Sequence, residues 1–116
     1  MTETGIKIYI KNNEDSIILE DSIIHAVSDN KEYICELSSI HEMDLLTTDL
    51  GPFADDMCLA IFTDTNIIFF VLSEHRSFKP FLFDQIGKVL PIDYQKIIDA
   101  STCTKKNIFE IYIRDQ

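Results

Sequence analysis

The sequence has few of the residues from which nucleotide-binding and metal-binding motifs are built. Its 116 residues include three glycines, so it contains neither a GxGxxG fingerprint nor a Walker phosphate-binding loop. His25, His41 and His75 are scattered and form no HExxH motif, and the cysteines form no CxxC pair. We therefore expect no cofactor, no metal site and no catalytic residues, and we predict that the protein is not an enzyme.

Long apolar runs are also missing. None reaches the roughly 18 residues that a membrane-spanning helix requires. The first residues lack the basic segment followed by an apolar one that marks a signal peptide. Cys35, Cys58 and Cys103 are an odd number of cysteines at wide spacing, which is typical of reduced thiols. These absences predict a cytoplasmic protein that does not associate with membranes.

Basic residues are nearly absent from residues 12–64. This segment contains thirteen acidic residues and one basic residue, Lys31, so its formal charge is −12, whereas the rest of the chain carries +2. A concentrated negative charge disfavours nucleic-acid binding and accelerates association with a basic partner. Because a surface selected only for solubility tends to intersperse both signs, this asymmetry favours partner binding over a merely solubilising role.

The apolar residues follow the patterns of short strands. With 46% hydrophobic residues, the chain has the composition and length of one folded domain, residues 1–116. The two most apolar runs predict a central hairpin, and the last strand is expected to place Phe109, Ile111 and Ile113 on one face. Strands are predicted at residues 6–11, 16–19, 22–27, 32–37, 57–63, 67–72 and 108–114.

Two consecutive helices are predicted between the central hairpin and the last strand. Apolar residues recur at a helical spacing from Phe78 to Leu90, and Pro91 ends this pattern. Asp93 is the candidate N-cap of a second, shorter helix. This order predicts an α+β fold, in which two consecutive helices near the C-terminus pack on a mainly antiparallel β-sheet of five to seven strands.

Residues 38–49 fit two different structures. Ser39 and Glu42 have the spacing of a capping box, which would open a short helix with Ile40 and Met43 facing inward. The same stretch, which ends in Leu-Leu-Thr-Thr at residues 45–48, also fits a strand.

Two stretches resemble segments of small bacterial proteins. One is DLLTTD at residues 44–49, followed by Met-Cys-Leu at residues 57–59, and the other runs from Ser73 through Phe78 to Pro91 and on to Phe109. Together they cover about residues 40–113 and are similar to immunity proteins of bacterial polymorphic toxin and contact-dependent inhibition systems. The resemblance implies a strand at residues 40–48 and supplies no catalytic residues.

The charge pattern and the resemblance together predict an immunity protein. Such a protein would bind a cognate toxin domain, expected to be a basic nuclease, and would block its active site with carboxylates in place of nucleic-acid phosphates. When free, it would be a monomer or a weak homodimer. The predicted contacts straddle a predicted loop and sheet edge, and they are Glu36, Glu42, Asp44, Asp49, Asp55 and Asp56.

Three other functions are compatible with the sequence. An acidic binding module or nucleic-acid mimic would bind several unrelated basic proteins. A small enzyme would hold one of the histidines beside a carboxylate or Cys58 in a deep pocket. An inert domain would use its charge for solubility alone.

Overall fold

The computed structural model describes residues 6–47, 57–103 and 105–114. Within these residues the chain forms eight strands and two helices. The strands are β1 (Ile6–Ile10), β2 (Ser16–Glu20), β3 (Ile23–Ser28), β4 (Lys31–Glu36), β5 (Ile40–Thr47), β6 (Met57–Thr63), β7 (Ile67–Leu72) and β8 (Asn107–Ile113).

Five of the strands form one mixed sheet in the order β1-β7-β6-β5-β8. The pairs β7–β6, β6–β5 and β5–β8 are antiparallel, and β1 joins the edge of the sheet parallel to β7. The most apolar strands, β6 and β7, lie in the interior of this sheet, where both of their edges are hydrogen-bonded. Hairpins between consecutive strands explain only part of this strand order, because β1 pairs with β7 and β8 pairs with β5, which are distant from them in the chain.

The other three strands form an antiparallel meander, β2-β3-β4. Each of its two turns has two central residues with positive φ, Asp21 and Ser22 in the first and Asp29 and Asn30 in the second. Two-residue turns of this kind match the right-handed twist of the flanking strands, and Asp and Asn tolerate the left-handed conformation well.

The two helices follow β7. Helix α1 consists of a π-helical segment, Pro80–Ile86, that continues into one α-helical turn, Gly87–Val89, and helix α2 is Tyr94–Ser101. The predicted N-cap of α2 is confirmed, because the side chain of Asp93 accepts a hydrogen bond from the backbone N–H of Lys96 at 3.2 Å. Neither helix of the described residues is long and apolar enough to cross a membrane.

The hydrophobic core lies between one face of the five-stranded sheet, the three-stranded sheet and the helices. Its largest fully buried side chains come from all three layers: Ile10, Met43, Leu45, Leu59, Ile61 and Phe69 from the large sheet, Ile17 and Ile24 from the small sheet, and Phe81, Leu82 and Ile86 from α1. A core shared by all the layers fixes which face of the large sheet points inward.

The predicted α+β class is confirmed, as are the two consecutive helices near the C-terminus. The strands are divided between two sheets, a division that the sequence patterns did not indicate. Residues 40–47 form a strand, so the capping-box helix was the wrong alternative, and Ser39 instead ends a short 3₁₀ turn, Leu37–Ser39.

Candidate functional site

The five-stranded sheet has a second face, which we call the outer face, that points away from the core. The strand register arranges its side chains in cross-strand rows, because directly paired residues project to the same side of a sheet. The rows are Lys7–Ile68–Phe62–Glu42–Ile113, Tyr9–Phe70–Ala60–Asp44–Glu110 and Leu72–Cys58–Leu46–Ile108.

Much of the outer face is apolar and only partly covered. The ring of Tyr9 stacks on Phe70 with 5.1 Å between ring centroids, and Ile108 and Ile113 on the edge strand β8 are 64% and 50% exposed. An accessible apolar patch that spans several strands is typical of an interaction surface. The half-buried side chains between these edges are Leu46, Cys58, Phe62, Ile68, Phe70 and Leu72.

Three carboxyl groups meet at the β5–β8 side of the outer face. Glu42, Asp44 and Glu110 each place one carboxylate oxygen within 4.8 Å of the others, and we call these three residues the carboxylate cluster. Within the described part of the chain, ion pairs within 4.0 Å involve Asp64 and not the cluster. The cluster therefore brings three carboxyl groups together without a neutralising basic side chain among the described residues.

Asp44 is the most buried member of the cluster. Its side chain is 6% exposed, and Oδ1 is the one buried side-chain oxygen of the described residues that has no hydrogen-bond partner. Burial, followed by a hydrogen bond to Glu42 and the charges of Glu42 and Glu110, raises the pKa of Asp44 to about 7. A carboxyl group of this kind requires either a proton or a cation beside it at neutral pH.

The cluster is created by strand register and by a β-bulge. Glu42 and Asp44 are two residues apart on β5 and therefore project to the same face, and β8 pairs Glu110 with Asp44. Tyr112 pairs with Met43, so Ile111 is the extra residue of a bulge. The predicted common face of Phe109, Ile111 and Ile113 is thus wrong for Ile113, which the bulge turns to the outer face beside Glu42.

The opposite side of the outer face is basic. Lys7 lies in the same row as Glu42 but on β1, three strands away from β5. The ammonium group of Lys11 lies 5.6 Å from the centroid of the Tyr9 ring, within the range of a cation–π contact. At a strand spacing of about 4.8 Å, roughly 14 Å of apolar surface separates these lysines from the carboxylate cluster.

Two of the six predicted contact residues lie in this site. Glu42 and Asp44 belong to the cluster, whereas Glu36 is exposed at the end of β4 in the other sheet. Asp49, Asp55 and Asp56 fall outside the described residues. Glu110 was missed because its role depends on the pairing of β8 with β5, although its alternation with Phe109 and Ile111 indicated that it points away from the core.

His41 and His75 have structural partners. His41 lies 3.1 Å from Asp64, whose other carboxylate oxygen is 2.9 Å from Arg114, and these contacts lower the pKa of Asp64, the Arg114 hydrogen bond most strongly. His75 lines a surface cavity beside Glu74, as the enzyme alternative requires. However, its Nδ1 accepts from the backbone N–H of Ser77 and its Nε2 donates to the carbonyl of Asn12, so both ring nitrogens are engaged.

Comparisons with protein-family models, with curated proteins and with solved structures found no match for this chain.

Proposed function

We propose that the protein binds a basic partner protein through the outer face and acts as an immunity protein in the cytoplasm. Its partner would be a bacterial toxin domain with a basic substrate groove, such as a nuclease, whose active site the complex blocks. The observation that carries the proposal is the combination of an accessible apolar sheet face with the carboxylate cluster at its edge.

The apolar middle of the outer face supplies a source of affinity. Binding energy in protein interfaces is concentrated in a few desolvated aromatic and aliphatic side chains at the centre of the contact. Phe62 and Phe70 are half-buried in the sheet, so they are largely held in place before a partner arrives. Side chains that are already ordered lose little conformational entropy on binding.

The carboxylate cluster supplies specificity for a basic partner. A lysine or arginine of the partner would neutralise Asp44 and its neighbours, which have no basic partner within their own chain among the described residues. Charge pairs in a desolvated interface have coupling energies of about 1.5–7 kcal/mol in a well-studied nuclease–inhibitor pair. The charge of −12 over residues 12–64 would also accelerate the encounter.

The size of the face limits how the partner docks. Five strands about 4.8 Å apart and about five residues long give a planar area of roughly 24 by 17 Å. A standard interface buries about 800 Å² on each partner, which is more than this plane. The partner must therefore also contact surface that lies outside the five strands of the face.

The first test is capture of the partner with the tagged protein from the source organism, at low and then high salt. We expect one stoichiometric basic protein that survives the salt wash, and we expect co-expression to protect cells from it. Glu110→Lys should lose this partner, whereas Glu32→Lys, at an exposed position of β4, should retain it. Several unrelated basic proteins lost together at high salt would instead indicate a nonspecific acidic module or nucleic-acid mimic.

A further inference from the structure

We propose that Glu42, Asp44 and Glu110 form a binding site for a divalent cation of the hard, oxygen-preferring class, with Ca²⁺ as the best fit. The sequence predicted no metal site, because two of the ligands are on β5 and the third comes from the last strand. This inference does not rest on the proposed function, since it concerns the isolated chain.

The geometry of the cluster allows one cation to contact all three carboxylates. One carboxylate oxygen from each residue lies within 4.8 Å of the other two. Two oxygens that each lie about 2.4 Å from the same cation are at most about 4.8 Å apart, and Ca²⁺ binds oxygen at about 2.3–2.6 Å. Mg²⁺ requires near-ideal octahedral geometry and gives up its water reluctantly, whereas Ca²⁺ accepts irregular sets of oxygen ligands, so Mg²⁺ should bind more weakly.

The buried oxygen of Asp44 is the independent observation that points to a ligand. The side chain of Asp44 is 6% exposed, and its Oδ1 accepts no hydrogen bond from any described residue. Buried polar atoms in folded proteins are nearly always satisfied, so an orphaned carboxylate oxygen within a group of acidic side chains calls for a positive ligand. No described basic side chain lies within 4.0 Å of the cluster to supply it.

The surroundings of the cluster favour binding of an ion. The ligands lie on two strands joined by backbone hydrogen bonds, so their backbones are fixed before the ion arrives. Ala60 is fully buried beside Asp44, and the exposed Ile113 lies beside Glu42, so apolar atoms flank the carboxylates. Glu110 is exposed, which leaves the solvent side open for the water molecules that complete the six to eight ligands of Ca²⁺.

The site should be weak, because only three protein ligands are identified. We expect a dissociation constant of roughly 10⁻⁴ to 10⁻³ M, the range of low-affinity calcium modules. The test is calorimetric titration of the EDTA-treated protein with the chlorides of Ca²⁺, Mn²⁺ and Mg²⁺. We expect one equivalent of Ca²⁺ to bind, and we expect Mg²⁺ to bind more weakly. In an NMR titration with Ca²⁺, the amide chemical-shift changes should be confined to residues near the cluster on β5 and β8.

Matched variants make the test specific. Glu110→Gln changes an exposed side chain and should fold normally, yet it should weaken Ca²⁺ binding at least about tenfold. Asp44→Asn should do the same, and Glu32→Gln on the other sheet should bind Ca²⁺ as the wild type does. The proposal would be overturned if neither Ca²⁺ nor Mn²⁺ bound at about 10 mM, a concentration well above the weakest expected dissociation constant. It would also be overturned if Glu110→Gln bound Ca²⁺ as tightly as the wild type.

Discussion

Asp44 lies directly opposite Glu110 in the antiparallel pair of β5 and β8, and its Oδ1 is buried without a hydrogen-bond partner among the described residues. Like charges at facing positions of a strand pair destabilise a sheet. Here they also flank Glu42 and an apolar face that is open to a partner. This arrangement costs the free protein stability unless a proton, a cation or a basic partner neutralises it.

The carboxylate cluster should make the protein less stable at alkaline pH. Because the pKa of Asp44 is raised from 3.8 to about 7, the folded state binds a proton more tightly than the unfolded state. The resulting stabilisation is complete below about pH 4 and is lost as pH rises through 7. Asp44→Asn removes this titration. Between pH 4 and 8, its free energy of unfolding should therefore rise relative to that of the wild type by up to about 4 kcal/mol.

Urea unfolding of both proteins in EDTA over this pH range measures the effect, since EDTA removes any contribution from divalent cations. Glu32→Gln is the control, because Glu32 is exposed on β4, away from the cluster. A difference between Asp44→Asn and wild type that stays constant from pH 4 to 8 would show that Asp44 has an ordinary pKa.

The buried carboxylate of Asp15 should be essential to stability. It accepts hydrogen bonds from the backbone N–H groups of Lys11, Asn12 and Asp29 at 3.0, 2.8 and 3.2 Å, and so joins the β1–β2 turn to the β3–β4 turn. Asp15→Ala leaves these three donors without their acceptor and should cost about 2–4 kcal/mol at pH 7. Glu14→Ala, at the exposed neighbouring position, should change the free energy of unfolding little.

The same residue should contribute to acid sensitivity. Burial acts to raise the pKa of Asp15, but the three backbone donors and His75 outweigh it and lower the pKa below 3.8. Its contribution is therefore present above about pH 4 and is lost as pH falls through the lowered value. The stability gap between wild type and Asp15→Ala should shrink in strong acid, and a gap that widens there would contradict this assignment.

Gly87 should not tolerate alanine, although alanine favours helices. A Cβ at this position would lie 2.7 Å from the carbonyl oxygen of Leu82 and would overlap the hydroxyl of Tyr94, which donates a hydrogen bond to the Gly87 carbonyl at 3.1 Å. We expect Gly87→Ala to lower the free energy of unfolding by about 1–3 kcal/mol, although alanine has a helix propensity about 1 kcal/mol more favourable than glycine.

A double variant separates the two contacts of Gly87. Tyr94→Phe removes the hydroxyl, so Gly87→Ala with Tyr94→Phe should lose less stability than the sum of the two single changes. An equal or higher melting temperature for Gly87→Ala alone would mean that the two helices do not pack this closely.

The sequence predicted local structure better than it predicted the site. Strand alternation and the Asp93 cap depend on near neighbours in the chain, and these were identified correctly, whereas the local pattern left residues 40–47 open between a helix and a strand. The carboxylate cluster depends on β8 returning to pair with β5 and on a bulge at Ile111. Neither long-range register nor a one-residue insertion leaves a local signal, so Glu110 and the exposed position of Ile113 were not foreseen.

The most direct test of the outer face as the partner-binding surface compares two isoleucines of nearly equal exposure. Ile108 on the outer face is 64% exposed, and Ile34 on β4 of the other sheet is 63% exposed. With the captured partner, Ile108→Asp should raise the dissociation constant at least about tenfold, and Ile34→Asp should leave it unchanged. Equal affinity of Ile108→Asp and wild type, or loss of binding in Ile34→Asp alone, would contradict the account.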